Sequence, residues 1–272
     1  MNNNCVLSIN QVSFGKTRYI KPMIKSTPFA ELKLGKKINE GIQASVYKLQ
    51  GFNSLVVKTN KFDPQSLSWD VNSFTHKLLS SEDNRAVVME KISGKPLHGK
   101  GWVMGDTPFV TVYKNTLREM LSAPEEAYVF YMKKVSELRK NGYQIDSVNP
   151  NNVLYDKKNK RFNIVDISKT DSDITQLKLE DFSPFWDGVR LLNIYDKANA
   201  VSKYQISKLV KKLMTKILSI GQKHGYHIEV EPFNKYSYQP PAICFFYDKS
   251  ERLDKCLKDP RFRETYLLRI DD

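Results

Sequence analysis

The sequence predicts an α+β chain in two lobes, a small β-rich one followed by a helical one. Three observations carry that reading. Short apolar, β-branched runs cluster before residue 90, the strongest helical periodicities follow it, and a Gly-Pro connector, "SGKPL", lies between. The 272 residues suit one large domain or one two-lobed domain whose core needs no staples. No repeat or low-complexity tract interrupts them. The expected organisation is an N-terminal extension over 1–30, a first lobe over 31–92, the core of a second lobe over 93–197 and a basic helical C-terminal extension over 198–272.

Taken in order, residues 1–30 read as irregular or extended, with a basic cluster at Lys16, Arg18, Lys21 and Lys25. "ELKLGKKINEGIQASVYKLQGFNSLVVKTN" then reads as three strands. Val46, Tyr47 and Leu49 suit the second, Leu55, Val56 and Val57 the third, and Gly51–Ser54 the turn between them. After Pro64, Leu67, Val71, Phe74 and Leu78 recur at helical spacing. Ala86 to Met89 is a strand, and the hinge between lobes falls near 90–97.

The clearest helix starts at Ser122. Glu125 stands three residues on, as in a capping box, and Pro124 is tolerated in the first turn. Tyr128, Tyr131, Met132, Val135 and Leu138 line one face, and Asn141-Gly142 ends it. A hairpin follows, Val153–Tyr155 against Phe162–Val165 across "DKKNKR". A long helix is expected from about Lys203 to Ile220, with Ile206, Leu209, Val210, Leu213, Ile217 and Ile220 as its apolar face. "QPPAICFFYD" near the end reads as a buried strand.

Composition narrows the chemistry. Three cysteines without metal-ligand spacing argue for free thiols and against a disulfide framework. No apolar run approaches 18 residues, so no segment is expected to span a membrane, and the opening "MNNNCVLSINQVSFGKTRYIK" has no apolar core of a classical secretory signal. The net charge of +13 predicts attraction to something anionic. Six lysines and no acids stand between 198 and 225.

Two clusters carry candidate chemistry. In "INEGIQASVYKL" a tight turn with Gly41 and Ala44 lets backbone N–H groups approach phosphate oxygens, and Lys58, closing the strand "LVVK", offers those phosphates a point charge. In "YQIDSVNPNNVLYDKKNKRFNIVDIS" the hard-oxygen side chains of Asp146, Asn152 and Asp166 stand at strand ends, a donor set suited to a divalent cation bound with a phosphate.

The order of Gly loop, strand lysine, helix acid, hinge, Asp…Asn loop and strand-end Asp resembles a protein kinase fold. The run "NNVLYDKKNKRFNIVDIS" is similar to the secreted bacterial effector kinases of the NleH and OspG type, and the "GxxxxVY…VVK" run with the spacing of "DSVNPNN" is similar to the effector kinase SteC, over roughly residues 34–195. The resemblance implies a reduced C-lobe without a conventional activation segment. It also implies ATP and Mg²⁺ or Mn²⁺ as cofactors, a host protein as substrate, and action in the host cell cytoplasm after secretion by a bacterium. No DNA partner is expected.

Residue by residue, Asn39, Gly41 and Ala44 fall where the loop glycines stand, with Val46 beside them, so only the middle glycine is kept. Lys58 matches the lysine on the α- and β-phosphates, and Asp70 falls where a glutamate usually holds that lysine. Met89 would back the adenine pocket, backbone groups of Glu90 and Ile92 would meet the adenine edge, and Leu154 would line the nucleotide site. Asp146 matches the catalytic aspartate that orients the substrate hydroxyl; Asn152 and Asp166 match the metal ligands; Asp187 in "WDGVRLL" matches the aspartate that braces the catalytic loop.

The chain departs from the pattern in its spacing. Asp146 to Asn152 is six residues where five is usual, so the loop holds one extra residue, Asn151 is the ligand, or Ser147 fills the catalytic slot. The first is favoured because Asn152 leads directly into "VLYD". Asp-Ile-Ser stands for Asp-Phe-Gly, and no Ala-Pro-Glu follows. Without a loop to order by phosphorylation, activity is constitutive or switched by a host activator. The resemblance implies ubiquitin on a conjugating enzyme as that activator. The row Lys208, Lys211, Lys212 and Lys216 suggests instead a polyanion such as an inositol polyphosphate or phosphoinositide. Two competing readings are a pseudokinase-like binding module and a small-molecule phosphotransferase, the latter disfavoured by the basic balance.

Overall fold

The computed structural model describes residues 31–40, 44–60, 77–80, 86–98, 107–145, 150–169, 176–187 and 191–230. The chain divides into two compact units, residues 1–92 and 93–272. The N-terminal basic cluster, most of the helix expected after Pro64, and the strand expected at "QPPAICFFYD" lie outside the described residues.

The first unit is a five-stranded antiparallel sheet. Strands β1 (Leu34–Glu40), β2 (Ala44–Leu49), β3 (Phe52–Asn60), β4 (Lys77–Ser80) and β5 (Ala86–Glu90) lie in the order β1-β2-β3-β5-β4. Side-chain alternation along β3 feeds two apolar layers. Leu49, Phe52, Leu55, Val57 and Val88 form one. Val56, Val87 and Met89, with Val46 packed against them, form the other.

Two expectations change here. The reversal before β3 is Gln50-Gly51 rather than Gly51–Ser54, because Gly51 takes φ +81° and lets Phe52 enter the ladder opposite Leu49. The helical spacing that reached Leu78 ends in a strand, since Lys77–Ser80 pairs along β5.

In the second unit, β6 (Lys95–Pro96) leads to helices α1 (Thr107–Ser122) and α2 (Glu125–Lys140). Strands β7 (Tyr143–Ile145), β8 (Val153–Asp156), β9 (Arg161–Ile164) and β10 (Ile167–Lys169) follow. After them come β11 (Leu177–Lys178), a 3-10 segment over Leu179–Phe185, α3 (Leu191–Lys197), α4 (Ala200–Lys223) and β12 (Ile228–Glu229).

Helix α1 was not expected. Val110, Tyr113, Leu117 and Met120 form its buried face. It also overturns the capping box. Ser122 ends α1, and its hydroxyl donates back to Glu119 O at 2.8 Å. Pro124, extended at φ −68° and ψ 156°, is the N-cap of α2 and supplies no side-chain bond. A residue before proline is biased out of the helical region, so the chain breaks at Ala123.

The predicted α2 face is buried as expected, from Tyr128 to Leu138. Helix α4 runs longer than expected at both ends, its N-cap Asn199 accepting from Ser202 N at 2.9 Å. Leu209 is only half-buried, while Met214 and Gly221 join the inner face.

The core of this unit is aromatic. Phe162, on β9, is fully buried and meets three rings. Tyr128 lies 5.1 Å away between centroids, Tyr155 lies 4.7 Å away, and Phe185 stands edge-on at 4.7 Å. Tyr131 meets Phe185 edge-on at 5.0 Å. Polar groups pin the 3-10 segment beneath. Tyr131 Oη donates to Asp181 O at 2.7 Å, Nε2 of His98 donates to Pro184 O at 3.1 Å, and Tyr113 Oη donates to Trp186 O. Arg139 grips the Asp181 carboxylate with two N–H groups, at 2.6 and 3.0 Å, and both side chains are buried.

Phe162→Ala removes the ring that the others pack on. It should lower unfolding free energy by about 3–5 kcal/mol, read from urea denaturation, whereas a change under about 1 kcal/mol would mean that the cluster does not hold the hairpin. At Gly94, φ is +119° and an added Cβ would stand 3.0 Å from the Leu154 Cβ and from the Tyr155 carbonyl carbon. Gly94→Ala should therefore cost about 2 kcal/mol or more in the same assay.

Candidate active site

The first unit places Lys58 inside an apolar sheet face. Lys58 sits on β3 between Val46 of β2 and Val87 of β5. Val56, two residues earlier, shares its face and pairs with Met89. The aliphatic stem of Lys58 thus leaves the sheet beside Val46, Val56, Val87 and Met89, three of which are at most 9% exposed. Such a surface offers an apolar plane with one ammonium at its margin. Ala44 opens β2 on the same face, opposite Asn60.

Glu90 pairs with Leu55, which belongs to the opposite layer, so only its backbone could serve this face. Beyond it, Lys91 N bonds Ser54 O at 2.8 Å, and Ile92 is half-buried. Gly41 and Asp70 lie outside the described residues.

The second unit places Asn152 and Asp166 at one end of one hairpin. Asn152 closes the 3-10 turn Pro150–Asn152 and is 7% exposed. Its carbonyl accepts from Val165 N at 2.9 Å, which extends the β8–β9 ladder one bond beyond Val153–Ile164. Asp166 follows directly and is half-buried. A second short ladder then fixes it. Ile167 pairs antiparallel with Ile145, the residue just before Asp146. Asp146 and Ser147 themselves lie outside the described residues.

The donor chemistry fits a hard cation. A carboxylate and a carboxamide at one strand end offer oxygen ligands, and Mg²⁺ ordinarily takes one or two carboxylates and completes its shell with substrate phosphates and water. Among the described residues no group of three or more His, Cys, Asp or Glu side chains gathers, and such a cation needs none.

Asp187 is fully buried at φ +47°. The Tyr113 phenol lies close to it: burial first, and the Asp187 charge second, push that phenol well above its ordinary range.

A clamp holding this hairpin escaped the sequence reading. Asp156, at the end of β8, accepts from the Ser93 hydroxyl and from Asn159 Nδ2 at 2.7 Å and Asn159 N at 3.1 Å. Asn163 Nδ2 donates to Ser93 O at 2.9 Å, while Lys95 and Pro96 pair with Tyr155 and Leu154. The half-buried Leu154 is thereby flanked by Pro96 and Asn163. "DKKN" was itself a signal, since Asp with Asn three residues on is an Asx-type turn.

The lysine row separates into two kinds. Lys208, Lys211 and Lys212 are exposed. Lys216 turns inward, donating to Leu121 O at 2.7 Å and Ala123 O at 2.6 Å with its ammonium 5.0 Å from the Tyr128 ring centroid. It caps the end of α1 and does not share the outer row. Burial lowers its pKa, against the pull of Glu125.

No family model and no curated protein matches this chain. Among solved structures, the kinase PK-1 of Cydia pomonella granulovirus is similar, at 17% identity and a TM-score of 0.41, over 75% of this chain and 97% of that one. The elements themselves give an α+β chain, an antiparallel β unit and then a largely helical unit carrying the Asn–Asp hairpin.

The Ser93 and Asn159 bonds hold the Asp156 carboxyl down at about 2, against 3.8 for an ordinary aspartate. The unfolded chain therefore binds this proton more readily than the folded one. The stabilisation is complete above about pH 4 and is lost as pH falls toward 2. Urea midpoints measured across that window should fall less steeply for Asp156→Asn than for the parent, and parallel curves would remove the carboxylate from this role.

Proposed function

We propose that this chain is an ATP-dependent protein kinase that phosphorylates serine or threonine hydroxyls of a host protein, delivered by a bacterium as an effector. The observation that supports it best is the shared hairpin end of Asn152 and Asp166, held by the Asn152–Val165 bond and the Ile145–Ile167 pair. A bound Mg²⁺ would supply charge neutralisation on the transferring phosphoryl group. Asn152 and Asp166 would hold that ion. Lys58 would bind the α- and β-phosphates, and the Val46, Val56, Val87 and Met89 surface would receive the base. Asp146, next in the chain after Ile145, would orient the substrate hydroxyl and accept its proton.

Positioning and charge carry most of the rate in phosphoryl transfer. Residues that do both should therefore be sensitive to single substitution. The host activator belongs to the same proposal, either a ubiquitin-loaded conjugating enzyme or a polyanion. A pseudokinase reading is favoured by two features, the six-residue step from Asp146 to Asn152 and the glycine loop in which only Gly41 is kept.

With radiolabelled ATP, Mg²⁺ and a generic basic substrate protein, Lys58→Met and Asp166→Asn should each lower phosphate transfer by about a hundredfold or more, with unchanged urea midpoints. ATP-induced thermal stabilisation of the parent without any transfer, indifferent to Asp146→Ala, would instead identify a nucleotide-binding module.

A further inference from the structure

Helix α4 is a 24-residue rod with two unlike sides. Its inner side is apolar and buried, from Ile206 to Ile220. Its outer side carries Val201, Tyr204, Lys208, Lys211 and Lys212, all exposed. At about 100° per residue these five positions fall within an arc of about 100°, so they form one stripe. From Val201 to Lys212 the stripe runs about 16 Å at the helical rise.

Its two halves differ. Val201 is 66% exposed and Tyr204 67%, conspicuous for an apolar and an aromatic side chain. The three lysines follow within the next two turns, and the Lys208 ammonium stands 5.8 Å from the Tyr204 ring centroid. No acidic residue occurs anywhere between 198 and 225, so nothing on this helix neutralises the stripe.

We propose that this stripe docks on an anionic lipid surface. Charge complementarity argues for it: three lysines on one face, in a chain of net charge +13, match a layer of negative headgroups. The shape of the site selects among anions. A convex helix face can lie along a plane, whereas a soluble inositol polyphosphate needs a concave cradle to engage several cations at once. The exposed Tyr204 and Val201 add the second half of an interfacial contact, because an aromatic ring with a polar tip settles at headgroup depth. Lys216 takes no part, its ammonium being held by carbonyls of the α1–α2 joint. The stripe does not rest on the kinase reading, since it contains none of the residues assigned to ATP or metal.

The test is flotation of the full chain with vesicles of phosphatidylcholine alone and with about one quarter phosphatidylserine. Binding should require the anionic lipid and fall steeply with added salt. Lys208→Glu/Lys211→Glu/Lys212→Glu should weaken it about a hundredfold or more, at about fivefold for each lysine lost, and Tyr204→Ser should weaken it severalfold without changing the salt dependence. A control of equal charge, Lys36→Glu/Lys133→Glu/Lys158→Glu, alters exposed lysines elsewhere and should retain most of the binding. Equal loss in both triple variants would overturn the proposal in favour of net charge alone. It would also be overturned if the parent failed to float with anionic vesicles, whether or not it bound free inositol hexakisphosphate or an acidic protein through the same lysines.

Discussion

The burial of Phe162 is the contact on which the second unit depends. Its ring is the meeting point of a strand, a helix and the 3-10 segment, through Tyr155, Tyr128 and Phe185. Stacked, tilted and edge-to-face rings at these distances add to the burial of large apolar surfaces. The β8–β9 hairpin is only four residues deep on each side, and an isolated ladder of that length is marginal in water. Anchored by Phe162, it becomes a fixed platform, and the side chains at its open end inherit that rigidity. The geometry of Asn152 and Asp166 thus follows from packing a few residues away.

Rigid backbone devices complete the platform. Gly94 permits segment 93–96 to press against Leu154 and Tyr155, and Asp156 ties the same segment through Ser93. The buried Arg139–Asp181 pair fixes the far side of the 3-10 segment. Both partners are hydrogen-bonded as well as charged, which is the condition under which a buried ion pair is tolerated.

How much of this was legible in the sequence depended on the kind of signal. The apolar run ending at Lys58, the α2 face and the inner side of α4 were readable because period-two and period-3.6 patterns survive folding unchanged. The same holds for the hairpin, whose strands flank a strongly polar turn. Helix α1 was missed although Val110, Tyr113, Leu117 and Met120 repeat correctly, because its threonine- and valine-rich first turns weaken the helical signal. Ser122 misled for a related reason: a hydroxyl can cap forward or bond backward, and only the position of the break, at Ala123, decides. Lys216 could not be told from Lys208 or Lys212 by spacing alone. Its distinction arises from carbonyls almost a hundred positions earlier in the chain, which no local window contains.

That inward lysine makes α4 a mechanical neighbour of the hairpin. The path is an ammonium above a phenol ring at 5.0 Å and that ring against the Phe162 ring at 5.1 Å, with the hairpin strand directly behind it. Close-packed rings have little slack in which a small displacement could be absorbed. Lys216 therefore ties α4 both to the α1–α2 joint, through the two carbonyls, and to the ring cluster that anchors the hairpin.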